Sequence, residues 1–347
     1  MPGKVAVIGA GSWGTAVASI AAGRASTVLW ARRPDLAEEI TEKHRNSAYL
    51  ADFLLPESLA ATASLEEAVA DVDVVVMAVP SHGFRDILAS ASSFLRSGVP
   101  VLSLTKGLEQ ETLKRMTEVV AEVVPGHPTG VLTGPNLAKE IMAGQPAASV
   151  VATTDEALSE ELQRLLSTQV FRVYTNPDVV GCEVAGALKN VMAIASGMAD
   201  GMGFGDNTRA ALITRGLAEL TRLGVALGGE PLTFSGLAGM GDLVATCISR
   251  QSRNRYVGEE LGKGRTIEDV VAEMKMVAEG VKTSRVALEL AARAGVEMPI
   301  AEQVVAVLYE GRTAAEVIPA LMRREAKPEL HGIAREAMPD QDGIAQD

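Results

Sequence analysis

The sequence predicts an α/β chain: a doubly wound parallel sheet in the first half and an all-helical second half. Three observations carry this. Short, nearly continuous β-branched runs recur through the first half, each separated by a helix-length stretch. That is the pattern of parallel strands covered on both faces. The runs cease near Asn176-Pro177, and the chain beyond that point reads as long helical segments. At 347 residues the chain is too long for one small domain and suits two.

In order, the predicted strands are Lys4–Gly9, Ser26–Ala31, Asp73–Val79, Pro100–Leu104, Gly130–Thr133 and Ser149–Thr153. The third is almost unbroken valine and stops at Pro80. A helix is expected over Thr15–Ala22, and Ser64-Leu65-Glu66-Glu67 has the spacing of a capping box. Beyond Pro177 comes Val179–Ala199, small and apolar. Helical stretches then run over Thr208–Leu227, Thr266–Met276, Thr283–Ala294 and Ile300–Leu308. Thr266-Ile267-Glu268-Asp269 resembles a second capped start. The domains are expected at 1–177 and 178–335, with 336–347 a disordered tail.

Hydrophobic residues make up 47% and charged residues 22%, which supports a large core. Lys plus Arg number 32 against 44 Asp plus Glu, a net charge of -12. A broadly acidic surface repels polyphosphate backbones, and 3% aromatics leaves few stacking platforms, so nucleic acid is not an expected partner. Cys182 and Cys247 are far apart and only four histidines are present, so no metal spacing emerges and no metal is expected. A reduced, cytoplasmic compartment is the simplest reading, without signal peptide or bilayer-length apolar run.

The first strand ends in Gly9-Ala10-Gly11-Ser12-Trp13-Gly14, and a helix-forming run comes next. In that context the glycines permit the tight turn and the close approach of a pyrophosphate to the helix N-terminus. The first half is therefore expected to be a Rossmann-type domain binding a nicotinamide dinucleotide. The second strand ends in Leu29-Trp30-Ala31-Arg32-Arg33, with no acid for a ribose 2′-hydroxyl and two arginines instead. The sequence thus predicts that NADP(H) is accepted as well as NAD(H). The alternative is that Arg32 and Arg33 are solvated loop charges.

Val184–Ala195 has two strongly polar side chains, Lys189 and Asn190, in an otherwise apolar helix. A buried lysine is costly unless paired or functional, and burial beside a second cation makes it a better base near neutral pH. The alternative is a snorkelling or structurally paired lysine. Lys106, in Ser103-Leu104-Thr105-Lys106-Gly107, lies at the carboxyl end of a predicted strand, as does Gly134-Pro135-Asn136. That edge of an open sheet is where ligands bind, although an ordinary exit turn fits too. Ser249–Arg255 gathers three arginines and two serines, donors suited to a phosphate monoester or simply a solvated basic loop. Asp242 stands just upstream in Gly239-Met240-Gly241-Asp242, where a carboxylate could orient a lysine or a hydroxyl.

Together GAGSWGTA, SLTKGLE, LTGPNLAKE, LKNVMAIASGMADGMGFGDNTRAALITRG, SGLAGMGDL and SRNR resemble the bacterial NAD(P)-dependent glycerol-3-phosphate dehydrogenases. The likeness spans residues 4 to about 327. It implies hydride transfer between C2 of sn-glycerol 3-phosphate and the nicotinamide, with dihydroxyacetone phosphate as the oxidised partner. It implies Lys189 as proton donor or base, with Lys106 and Asp242 holding the reacting groups. The implied substrate contacts are Lys106, Gly134, Asn136, Lys189, Asn190, Asp242, Ser252, Arg253 and Asn254. The implied cofactor contacts, beyond the glycines, are Ser12, Trp13, Arg32, Arg33, Lys106, Ala138, Arg253, Val277 and Glu279. Many members carry Ser where this chain has Asn136; an amide still donates and accepts. A supply of glycerol 3-phosphate for phospholipids is implied in turn, and a homodimer is expected from the apolar helical half. Rival readings are a β-hydroxyacid, phosphogluconate or ketopantoate dehydrogenase, or a dinucleotide sensor without turnover. The SRNR and GMGDL segments argue against the first group. The buried lysine argues against the sensor.

Overall fold

The computed structural model describes residues 2–274, 278–323, 325–326 and 328–329. Val277 and the expected tail at 336–347 lie outside the described residues.

Among the described residues, eight strands form one sheet: β1 (Lys4–Ile8), β2 (Ser26–Trp30), β3 (Leu59–Thr62), β4 (Val74–Met77), β5 (Val101–Ser103), β6 (Thr129–Thr133), β7 (Ala147–Ala152) and β8 (Phe171–Asn176). Their order is β3-β2-β1-β4-β5-β6-β7-β8. The continuous apolar runs become β1, β2 and β4–β7, because strands with helices on both faces bury every side chain. The two unanticipated strands, β3 and β8, are the sheet edges. β8 alternates buried Phe171 and Val173 with exposed Arg172 and Tyr174, a half-buried pattern unlike the buried runs. A wholly parallel sheet is also corrected. β6 and β7 pair antiparallel while every other neighbour pair is parallel. The link between them holds only a five-residue helix, and the chain returns alongside β6 without a full crossover.

Helices α1 (Ser12–Ala22), α2 (Pro34–Lys43), α3 (Leu65–Val69), α4 (Ser81–Ser92), α5 (Met116–Val123), α6 (Ala138–Met142) and α7 (Glu156–Leu166) cover the sheet. α1, α2 and α7 enclose one apolar layer and α3, α4 and α5 the other. Ser64 Oγ accepts the Glu67 N–H at 3.2 Å, so α3 starts where the spacing indicates. The Glu67 carboxylate instead takes the Thr62 hydroxyl at 2.6 Å.

After β8 the chain is helical: α8 (Val179–Gly201), α9 (Asp206–Ala226), α10 (Pro231–Ser235), a π-helical turn (Leu237–Gly241), α11 (Asp242–Ile248), α12 (Arg253–Gly262), α13 (Ile267–Glu273), α14 (Glu279–Ala294), α15 (Pro299–Tyr309) and α16 (Ala314–Met322). Contrary to expectation, one helix among the described residues, α8, is long and apolar enough to cross a membrane by length and composition. Its most apolar stretch is 89% buried inside protein, as befits the central helix of a bundle. α8 and α12 meet backbone to backbone. A Cβ at Gly197 would lie 2.1 Å from Arg255 O, and one at Gly258 would lie 2.0 Å from Ile194 O. Only glycine allows this approach.

α9 carries a buried carboxylate, Glu219, that accepts the Ile300 and Ala301 N–H groups at 2.8 and 3.3 Å. It thereby caps α15, whose own N-cap residue, Met298, offers no side-chain bond. Burial raises the Glu219 carboxyl from 4.5 to about 7, against the pull of those two N–H groups. The folded state therefore binds more protons than the unfolded state between those values. This contribution to stability is complete below 4.5 and is lost as pH rises through 7. Glu219→Gln should erase that slope. Melting curves at pH 5 and pH 8 should show the variant gaining on the parent at the higher pH, by up to about 3 kcal/mol. Parallel curves would refute it.

Candidate active site

The first strand of the sheet delivers the glycine loop to the point between β1 and β4 where the strand order reverses. Gly9 has φ +121° and sits where a Cβ would meet Ala78 O at 2.6 Å. A Cβ on Gly14 would lie 2.0 Å from Gly9 O. Beside Gly11, by contrast, a Cβ would find nothing within 4 Å. α1 begins there with no side-chain cap, so its first N–H groups lie at an open cradle suited to a pyrophosphate. These residues fit a dinucleotide. Ser12 Oγ donates to Tyr49 O at 3.3 Å. The Trp13 ring packs inward, edge-on to Phe171 at 6.2 Å. Arg32 and Arg33 stand exposed just past β2, where a ribose 2′-phosphate would lie. Arg33 pairs with exposed Asp35 at 3.1 Å, a contact of little strength in water.

Three distant segments meet at the carboxyl edge of the sheet. Lys106 lies past the end of β5, Lys189 lies in mid-α8 and Asp242 opens α11 directly after the π-helical turn. Asp242 is 2% exposed and holds both amines, Lys106 at 2.6 Å and Lys189 at 2.7 Å. Lys106 Nζ donates also to Gly134 O at 2.8 Å and Asn136 Oδ1 at 2.6 Å. Lys189 Nζ donates to Thr246 Oγ1 at 2.6 Å. Burial pushes the Lys106 amine down to about 7; the Asp242 carboxylate pulls it up and the Lys189 ammonium pushes it further down. Two buried amines on one carboxylate, one of them near neutral, make a centre able to give or take a proton at physiological pH. Gly134 has φ +127°, and a Cβ there would press on Ser149. Ser149 Oγ lies 3.4 Å from Asn136 Nδ2. Ala138 starts α6 on the same edge.

The helical half is tied to this edge by amides. Asn190 Nδ2 donates to Lys106 O at 3.0 Å, and Asn190 Oδ1 accepts from Asn254 Nδ2 at 2.9 Å. Asn254 Oδ1 in turn accepts the Gly280 N–H at 2.9 Å. Next to it, Glu279 takes the Ser81 hydroxyl at 2.7 Å at the start of α4. Arg253 is exposed and attracted by the Glu279 charge.

The basic segment is less uniform than its sequence indicates. Arg255 turns inward to Asp200 at 2.7 Å and Glu259 at 3.1 Å. Ser252 caps α12 through the Arg255 N–H at 3.2 Å, and Gln251 reaches Glu140 at 3.1 Å. Arg253 and Asn254 are the members facing the amide chain and Glu279. Ser81 and Thr246 are contacts that sequence reasoning misses. Ser81 comes directly after Val79-Pro80 at the end of β4, on the same edge that points to Lys106, and the same reasoning reaches it.

Comparison with known proteins bears on this arrangement. Residues 4–159 match the family described as the NAD-dependent glycerol-3-phosphate dehydrogenase N-terminus, and residues 178–319 match its C-terminus. A glycerol-3-phosphate dehydrogenase (NAD(P)+) of Sphingopyxis alaskensis is 56% identical over 328 residues, covering 94% of this chain and 98% of the relative. One from Thermobifida fusca is 55% identical over 334 residues, covering 95% and 99%. The crystal structure of a glycerol-3-phosphate dehydrogenase from Coxiella burnetii superposes with a TM-score of 0.89 at 36% identity, covering 92% of this chain and 99% of that one.

Proposed function

The chain belongs to the NAD-dependent glycerol-3-phosphate dehydrogenase family, and from that premise we propose how its residues divide the work. The enzyme interconverts sn-glycerol 3-phosphate and dihydroxyacetone phosphate with NAD(H) or NADP(H). The observation that supports the assignment of roles is the Lys106–Asp242–Lys189 bridge past the carboxyl end of β5.

The dinucleotide would be held by Gly9, Gly11 and Gly14, by Ser12 and Trp13 at the start of α1, by Arg32 and Arg33, and by Ala138, Arg253, Val277 and Glu279. When bound it supplies or accepts the hydride. Lys189 gives its proton to the oxygen at C2 during ketone reduction and takes it back in the reverse direction. Asp242 holds Lys189 and Lys106 in register, and Lys106 donates to the substrate oxygens together with Asn136 and the Gly134 backbone. Arg253, with Ser252, Asn254 and Asn190, anchors the phosphate end. That remote binding positions the reacting carbon. The sheet domain is proposed as residues 1–177 and the helical domain as 178–335. A cytoplasmic homodimer feeding phospholipid synthesis completes the reading. Exposed Leu232, Met240 and Ile248 in the helical half support self-association.

The test is spectrophotometric. Purified protein should oxidise NADH and NADPH with dihydroxyacetone phosphate and ignore ketopantoate and hydroxyacid-derived ketones; a preference for the latter would move the chain's substrate elsewhere. The arginines make a second prediction. Arg32→Ala with Arg33→Ala should raise KM for NADPH about tenfold and leave that for NADH nearly unchanged. Equal losses for both cofactors would remove the arginines from the 2′-phosphate site.

A further inference from the structure

Residues 44–55 form a closed loop beside the glycine turn. It leaves α2 at His44 in the left-handed region, φ 50°, and closes where the Leu55 N–H meets His44 O at 2.9 Å. Leu50 and Leu55 are buried and anchor it. Its one fully buried polar side chain is Asn46, 0% exposed. A buried amide is costly unless its hydrogen bonds are made. Asn46 makes them toward the glycine turn. Its Nδ2 donates to Ala10 O at 3.0 Å and to Thr15 Oγ1 at 2.8 Å. Its Oδ1 accepts from the loop's own Tyr49 N–H at 3.2 Å. A second tie runs back from Ser12 Oγ to Tyr49 O. A third joins the loop to α6 through Lys139 and Asp52 at 3.9 Å.

Ala10 lies between the two glycines whose backbone shapes the cradle. A planar trans peptide points its C=O and its N–H in opposite directions. Pinning the Ala10 carbonyl toward loop 44–55 therefore fixes the Gly11 N–H on the other side. The Thr15 bond fixes the first turn of α1 against the same amide. We propose that Asn46 is a positioning residue for the dinucleotide: it orients the peptide groups of the Gly9–Gly14 loop without touching the cofactor itself. The inference rests on the reading of that loop as the dinucleotide site.

Asn46→Asp keeps the shape but replaces two donors with an acceptor facing the Ala10 carbonyl. Calorimetric titration of the full-length protein with NADH and, separately, NADPH should show both Kd values raised by the same factor, about tenfold. The pyrophosphate is common to both cofactors, so the factor should not distinguish them. At saturating cofactor, kcat and the KM for dihydroxyacetone phosphate should stay near the parent values. Thr15→Val, close in shape, removes only the second acceptor and should shift both Kd values the same way by less; it serves if Asn46→Asp does not fold. Unchanged Kd values in a folded Asn46→Asp protein would overturn the proposal. So would a fall in kcat with Kd unmoved, the mark of a merely structural role, or unchanged Kd values in Thr15→Val if that is the variant that folds. Failure of the parent protein to bind either cofactor would instead strike the reading of the loop.

Discussion

Lys189→Ala is expected to lower kcat by about three orders of magnitude while cofactor Kd stays near the parent value. The reason is geometric. Lys189 is buried in α8 and its amine is fixed by Asp242 and Thr246. Water cannot readily replace a donor in so closed a place, so the developing alkoxide would lack its proton. The glycine loop lies on other elements and makes none of these bonds, so dinucleotide affinity should persist. Lys189→Arg keeps the charge but not the ability to release a proton, and it should fail nearly as badly. Pre-steady-state measurement of NADH oxidation together with titration of NADH would separate the two quantities. Full turnover in Lys189→Ala would remove it from the chemistry.

Asp242→Asn is expected to act on both stability and pH dependence. Removing the carboxylate leaves two buried amines without their shared anion, a loss on the order of 3–5 kcal/mol by analogy with broken buried pairs. It also withdraws the one influence that raises the Lys106 pKa, so that amine should lose its proton below 7 rather than near it. Lys106 is already lowered from 10.5 in the parent. The folded state therefore binds fewer protons than the unfolded state between 7 and 10.5, and stability from this group rises with pH across that window. The variant widens the window at its acidic end. Its deficit in melting temperature should therefore be largest in mild acid and shrink toward the basic end of that window. For catalysis, the descending limb of kcat/KM for ketone reduction should move to lower pH. A variant with the parent's profile would show that Asp242 does not govern the amines.

The parts of this design that are legible in the sequence are those that break a local rule. Lys189 stands out because a charge interrupts an apolar helix, and the glycine turn because it joins a buried strand to a helix. Thr246 gives no such signal, since a threonine is unremarkable on a helix, and Ser81 is marked only by its place just past the end of β4. Arg255 misleads for a different reason. In sequence it equals Arg253, but α12 begins at Arg253, and two positions along a helix turn a side chain by about 200°. Arg255 therefore faces α8 and its Asp200, while Arg253 stays exposed. β3 and β8 escape notice because edge strands bury only part of what central strands bury. The antiparallel β6–β7 pair depends on how the chain leaves Gly134, which apolar patterning does not record.

Most helix pairs are separated by a layer of side chains that can shuffle rotamers and absorb a disturbance. Between α8 and α12 the main chains themselves touch, at Gly197 and Gly201 on one side and Gly258 and Gly262 on the other. The helix bearing Lys189 and the helix opening at Arg253 are thus held apart by peptide dimensions alone, like marks on a steel rule. Heating, or repacking elsewhere in the bundle, has no compliant material through which to stretch that gauge. Any descendant of this chain suited to a longer or shorter phosphate ester would have to find its adjustment in the loops or in side-chain length and rotamer, because the spacing of the two helix backbones is not adjustable.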